Sequence, residues 1–222
     1  MAKFDVIIEN ISSLHLGSGQ ADVNIDSDII HDELGFPYFP ARRFKGLLYE
    51  SALEVTEMLT LADMNFETAI LEDIFHHVSS DRGKISNIQL VVPNFYLQPF
   101  EDYQKMCSEW KYLQTNYGEL FRPSDLVNIY TSIRYQTQLE NGVAATGSLH
   151  NMRVLNAGLK FYGTLELING NDEHIHLISL AVRNLSSAGL KRNRGFGNIA
   201  CSMKCDNGMT DDELIGNAFG GM

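Results

Sequence analysis

From Phe44 the apolar residues recur as Phe44, Leu48, Ala52, Val55 and Leu59, steps of four and three that draw one stripe along a helix, with Glu50, Glu54 and Glu57 on another face. A helix with one apolar face must lie against something, and the neighbouring segments supply a sheet. Phe4, Val6 and Ile8 alternate with polar residues, as do Ile88, Leu90 and Val92, and then Leu159, Phe161, Gly163, Leu165 and Leu167. Leu177, Ile178, Ala181, Val182 and Leu185 predict a further helix, stopped at Ser186-Ser187-Ala188-Gly189, and Cys201, Met203 and Cys205 share one face of a last strand. The order strand, helix, strand, then strand, helix, strand predicts an α+β, ferredoxin-like (RRM-like) domain.

The remaining segments read as insertions into a single domain over residues 1–205. Residues 63–128 are expected to be helical or irregular, with a short helix over Asn65 to Val78 ending near His76-His77 and a longer one over Glu101 to Tyr117 holding the only Trp, Trp110. Residues 129–158 read as an inserted β-hairpin, punctuated by Asn141-Gly142, Gly147 and Gly158. The tail over 206–222 is expected to be mobile or ordered only in an assembly. With 222 residues, 44% of them hydrophobic, the chain can bury a sizeable core. Three cysteines, no apolar run of transmembrane length and no signal-type start in Met1 to Asp5 lead us to expect a reducing, cytoplasmic setting.

Two cationic clusters stand out. Pro40 suits a helix start, and Arg42, Arg43 and Lys45 follow it at the positive end of the helix dipole, where each costs a few tenths of a kcal/mol until an anion such as a phosphate docks there. Lys191, Arg192 and Arg194 precede Gly195-Phe196-Gly197, a run that lets backbone approach a phosphate while cations neutralise it. Between Gly17-Ser18-Gly19 and the first helix, Asp22, Asp26 and Asp28 crowd one loop, too close together to be buried without a cation or a partner. The net charge of −11 opposes nucleic-acid binding, but eight acids and no Lys or Arg lie between Gly46 and Asp81, so a local basic groove can coexist with an acidic back. Cys201, Met203 and Cys205 with His174 and His176 fit no familiar zinc spacing, and no nucleophilic Ser motif, Walker loop or dinucleotide fingerprint occurs.

LHLGSG over Leu14 to Gly19, followed by DSDIIHDELGFPYFPARRFKG over Asp26 to Gly46, resembles the RAMP superfamily of CRISPR proteins, in particular the backbone subunit repeated along type III effector complexes. Ala41-Arg42-Arg43 stands where that family usually has Gly-Ser-Ser. The resemblance implies antiviral defence by a multi-subunit ribonucleoprotein built from other RAMP subunits or copies of this chain, with guide RNA and target RNA as partners and no membrane. It puts the catalytic and metal-binding carboxylate on Asp26, with Asp28 as second candidate, and Mg²⁺ or Mn²⁺ as a transient cofactor. It implies RNA contacts from Arg42, Arg43, Lys45 and Gly46 and from Lys191, Arg192, Arg194, Gly195, Phe196 and Gly197. The hairpin becomes a thumb, with Arg134, Tyr135, Gln136 and His150 on or beside it, passing between nucleotides of the guide–target duplex. Two other readings stay open: a subunit that holds RNA without cutting it, and a metal-independent guide-processing RNase with His15 or His31 as general base.

Overall fold

The computed structural model describes residues 1–21, 25–64, 69–75, 87–140 and 142–219. In chain order the elements are β1 (Ala2–Asn10), α1 (Ala41–Leu61), α2 (Ala69–Phe75), β2 (Gln89–Val91), α3 (Phe100–Asn116), α4 (Pro123–Tyr130), β3 (Thr131–Gln136), β4 (Leu139–Glu140), β5 (Val143–Ala144), β6 (His150–Leu155), β7 (Lys160–Ile168), α5 (Asp172–Asn184), β8 (Ile199–Cys205) and α6 (Asp211–Phe219). Four strands form one antiparallel sheet in the order β2-β7-β1-β8, the strand order of the predicted ferredoxin-like domain.

Alternation drives the sheet, because every second side chain must find the same face. Phe4, Val6 and Ile8 of β1 are buried, and their register partners Leu165 and Phe161 on β7 and Cys205, Met203 and Cys201 on β8 are buried with them. Val6 faces Gly163 across β7, where an added Cβ would come within 2.6 Å of the Phe95 ring, so the missing side chain is what admits that phenylalanine to the core. The stripes of α1 and α5 complete the same cluster. A polar bond also fixes how the two helices meet: the hydroxyl of Ser51 on α1 donates to the Ala181 carbonyl of α5 at 2.7 Å.

The start of α1 is held by packing and by a distant cap. Pro40 has no side-chain acceptor to offer, so Asn94 accepts from the Ala41 N–H at 2.8 Å. Phe39 and Phe44, one before the cap and one a turn inside the helix, meet edge to face at 6.1 Å as a hydrophobic staple. Upstream, Asp32 accepts from the N–H groups of Leu34 at 2.9 Å and Phe36 at 2.8 Å and from the Tyr103 hydroxyl of α3, which ties the Gly35 turn to the helical insertion. Gly35 has φ +100, and a Cβ there would lie 2.3 Å from the Pro123 carbonyl oxygen.

Some boundaries depart from the sequence reading. The short helix expected over 65–78 is described over Ala69–Phe75, and the rest of that expectation, His76-His77 included, lies outside the described residues. The strand around Leu90 is three residues long. Helix α4, not predicted, begins at Pro123 behind an Asp125 carboxylate that accepts from the Arg122 N–H at 3.0 Å. The segment after Asp206 contains α6, whose Leu214 is buried in the common core.

The hairpin is a thumb with a paired root and a small tip. β3 and β6 pair from Thr131↔Leu155 to Gln136↔His150, and the two-residue strands β4 and β5 close the end. At the root Met152, Val154 and Leu155 are buried, and Leu155 bridges Leu14 just beyond β1.

Candidate nucleic-acid interface

A groove of about 510 Å³ runs between the Gly17-Ser18-Gly19 turn, the first turns of α1 and Gly189-Leu190. Arg42, Arg43, Gly46, Leu47 and Glu50 line it from the helix, whereas Lys45 is not among its lining residues. Helical spacing explains the split, since Lys45 falls about 60° outside the arc of the helix that runs from Arg42 to Leu47. Arg43 donates from Nη2 to the Gly17 carbonyl, so it braces the turn, and Arg42 is exposed at the rim. Glu50 adds one acid to the same helix wall.

The second cationic cluster reaches the groove through its glycines. Gly189 (φ +76) and Gly197 (φ +77) let the loop close on itself and on Ser13 to His15, beyond β1: an added Cβ would stand 2.5 Å from the His15 carbonyl oxygen and 2.0 Å from that of Ala188. The Leu190 N–H donates to His15 O at 3.1 Å and the Gly197 N–H to Ser13 O at 2.9 Å. Lys191, in the left-handed region at φ +60, donates from Nζ to the Gln136 side chain of the thumb. Arg192, Arg194 and Gly195 are exposed beside it and Phe196 is half-buried. Loop and thumb therefore touch. Of the four thumb residues, Arg134 and Tyr135 are exposed on β3, Gln136 receives Lys191, and His150 opens β6.

The two candidate carboxylates, two residues apart, have opposite surroundings. Asp28 is 19% exposed and receives Arg153 Nε at 2.9 Å, the arginine itself being 13% exposed, while the Ile29 N–H donates to the same oxygen at 2.8 Å. Arg153 also donates from Nη1 to Asn128 at 2.7 Å and to the Thr131 hydroxyl at 3.1 Å. That carboxylate, the second catalytic candidate, is tied to the thumb root by its ion pair. Asp26 is 58% exposed, with His150 Nδ1 3.9 Å from its Oδ2. Its backbone N–H donates to Asn151 Oδ1 at 2.8 Å, and the Asn151 N–H donates back to Asp26 Oδ2 at 2.8 Å. Asp22 lies outside the described residues.

His15 is fully buried behind this loop. Its Nδ1 stands 2.6 Å from the Arg153 carbonyl, which can only accept, so Nδ1 carries the proton and Nε2 accepts from Ser27 at 3.0 Å. Burial lowers its pKa below the usual 6.5, with Lys191 and Arg43 adding to the effect against the Arg153 carbonyl and Asp28. A buried, doubly bonded imidazole is no general base for a substrate; it is a strut between the acidic loop and the thumb. His31 is exposed, with Nδ1 2.8 Å from the Asp32 carbonyl.

Asn151 and Arg153 escaped the sequence reading. The local signal was an arginine inside the alternating strand His150 to Leu155, which demands an acid somewhere, but nothing local names Asp28, 125 residues away. Among the described residues no three His, Cys, Asp or Glu side chains gather into a metal-holding group. Cys201 and Cys205 are buried with burial raising both thiols, Cys201 to about 12, so they are inert core residues. No described helix is long and apolar enough to cross a membrane.

With a ferredoxin-like sheet, a thumb inserted ahead of its third strand and a glycine-bounded cationic loop closing on the first helix, the chain has the build its sequence resembles, and residues 7–200 match the sequence profile of the RAMP superfamily. The chain belongs to that superfamily. Among solved structures it is similar to a chain from the type III-B Cmr-beta complex bound to cognate target RNA (TM-score 0.62, 14% identity, 96% of this chain and 98% of that one covered). It is also similar to a chain from the apo state of type III-B Cmr-beta (TM-score 0.59, 14% identity, 90% and 96% covered). At that identity the likeness is one of fold. No curated protein matches the sequence.

Proposed function

We propose that this chain is a backbone subunit of a type III CRISPR ribonucleoprotein, which binds guide RNA and cuts the paired target RNA with Asp26. The observation that carries the reading is the contrast within one loop: Asp28 is spent on Arg153, and Asp26 is held exposed at the thumb root. RAMP membership and the likeness to chains of a type III-B complex, one of them solved with target RNA, support the assembly and its ligand. Guide RNA would lie along the groove of Arg42, Arg43 and Gly46 and beneath Lys191, Arg192 and Arg194, with neighbouring subunits or copies completing the site for a chain of net charge −11.

Cutting would proceed by attack of a ribose 2′-OH on the adjacent phosphate, leaving a 2′,3′-cyclic phosphate and a free 5′-hydroxyl. The thumb would unstack the nucleotide there with the exposed Ile133 and Tyr135, which gives the sugar room to reach in-line geometry. One exposed carboxylate fits a cation that takes most of its ligands from phosphate and water, the usual habit of Mg²⁺, and not a resident ion in a full protein cage. Bound there, Mg²⁺ or Mn²⁺ would neutralise charge developing on the phosphate. Asp26 would orient that contact or the attacking hydroxyl, and Arg42 would hold backbone.

The test is target cleavage by the assembled complex on RNA and on the same strand carrying a single 2′-deoxyribose at the nucleotide crossing the thumb, with Mg²⁺ and with EDTA. The reading expects the RNA to be cut only with metal and the deoxy linkage to survive. Cutting that persists in EDTA, or at the deoxy linkage, would refute the chemistry.

A further inference from the structure

The loop that carries Asp26 is joined to the thumb along three successive residues. Asp26 exchanges two 2.8 Å hydrogen bonds with Asn151, Ser27 bridges Met152 in parallel and accepts from the Arg153 N–H at 3.0 Å, and Asp28 pairs with Arg153. Residues 26–28 thus run beside β6, with one isolated parallel bridge at Ser27. The first rung differs from an ordinary ladder bond. One of its hydrogen bonds fixes the Asp26 backbone through the Asn151 side chain, and the other fixes an oxygen of the Asp26 carboxylate through the Asn151 backbone. Backbone and carboxylate of one exposed residue are therefore both set by one partner. An exposed loop carboxylate without such a tie would sample several rotamers and backbone states, and would have to be ordered at each turnover.

We propose that Asn151 is the positioning residue for Asp26, so that the strand which inserts into the duplex also sets where the carboxylate stands. The inference rests on Asp26 being the cutting residue. It assigns the thumb root a task beyond separating bases: displacement of β6 would carry Asp26 with it, keeping the carboxylate in register with the unstacked nucleotide. A side chain that supplies an acceptor at this reach is required. Alanine removes it, and aspartate keeps it.

The experiment compares wild type with Asn151→Ala, Asn151→Asp and Asp26→Ala in the assembled complex, reading kcat, KM and the exact linkage cut. Amide exchange of the Asp26 segment is followed in the same protein without target. For Asn151→Ala we expect unchanged guide and target binding, kcat lower by roughly ten- to a hundredfold because a misplacement of an ångström costs that much, and cuts spread over adjacent linkages. The Asp26 amide should exchange faster. Asn151→Asp should return both the single cut position and the slow amide, a rescue that a merely structural role in folding would not predict. If Asn151→Ala cuts at the wild-type rate and linkage while Asp26→Ala does not cut, this inference is overturned and the reading of Asp26 survives. If Asp26→Ala cuts normally, both fall.

Discussion

The sheet with its helices and the thumb handle apolar residues in opposite ways. In the sheet, Phe39, Phe44, Phe95 and Phe161 pack edge to face or tilted at 4.5–6.5 Å and are fully enclosed. On the thumb, Tyr135 is 66% and Val143 70% exposed. The enclosed cluster supplies non-directional stability, whereas an apolar side chain left in water stabilises nothing in this chain and suits a surface that a partner covers. The joint between the two regions adds to the buried Met152, Val154 and Leu155 a polar layer, in which Arg153, Asp28, His15, Ser27 and Asn128 meet through directional bonds. Burial carries the body and the thumb root, and the directional bonds at the root add a constraint on where the thumb points.

The largest effect should come from the body. Phe95→Ala removes the ring that fills the space over Gly163 and should cost about 3–5 kcal/mol, read as a drop in the urea midpoint of one cooperative transition. A loss under 1 kcal/mol would mean that the cluster is not the source of stability. Next comes the joint. Arg153→Met leaves Asp28 half-buried without its partner and should cost about 2 kcal/mol, less than for a fully buried pair because both side chains keep some water. Exchange should rise at residues 27–28 and 151–155 while β1 stays protected; uniform exchange would erase the distinction between joint and body.

A pH dependence should follow from His15 and from His174, whose pKa burial also lowers. A histidine with a folded pKa below its unfolded value of 6.5 binds fewer protons when folded, so its contribution is fully present above 6.5 and fades as pH falls toward the folded value. The urea midpoint should therefore decline from about pH 7 to pH 5, and His15→Gln should flatten that slope. An unchanged slope would remove His15 as a strut. The smallest effect on folding belongs to the thumb surface: Tyr135→Ala should shift stability by less than about 0.5 kcal/mol while weakening target engagement in the complex. A large loss of stability would show that the thumb is part of the core after all.

What could be read from sequence divides along the same line. The stripe of α1 and the alternation of β1, β7 and β8 were legible because burial imposes a period on neighbouring residues. The loop after Gly189 was legible from its glycines and cations. The joint was not: Asn151 and Arg153 act on residues 125 positions away, and a polar side chain leaves no period in its own segment. Asp26 could be singled out only through the family resemblance, because three aspartates in one loop look alike until one of them is seen to hold an arginine. Lys45 belongs to the RNA-facing set through its charge and the family resemblance, and it stands outside the lining of the groove that Arg42, Arg43 and Gly46 share. Helix α4 lacked a long stripe, with just Leu126 and Val127 buried.

The most direct measurement is target-RNA cleavage by the assembled complex carrying Asp26→Asn, with bound guide RNA quantified in the same preparation. Asparagine keeps the size of the side chain and an oxygen for the Asn151 N–H while removing the charge. The account predicts normal guide content and loss of cutting by at least about a hundredfold, since the site would lose the carboxylate that orients the metal contact or the attacking hydroxyl. Cutting at the wild-type rate, with guide bound, would contradict it and leave Asp26 an exposed loop acid beside an RNA-holding scaffold.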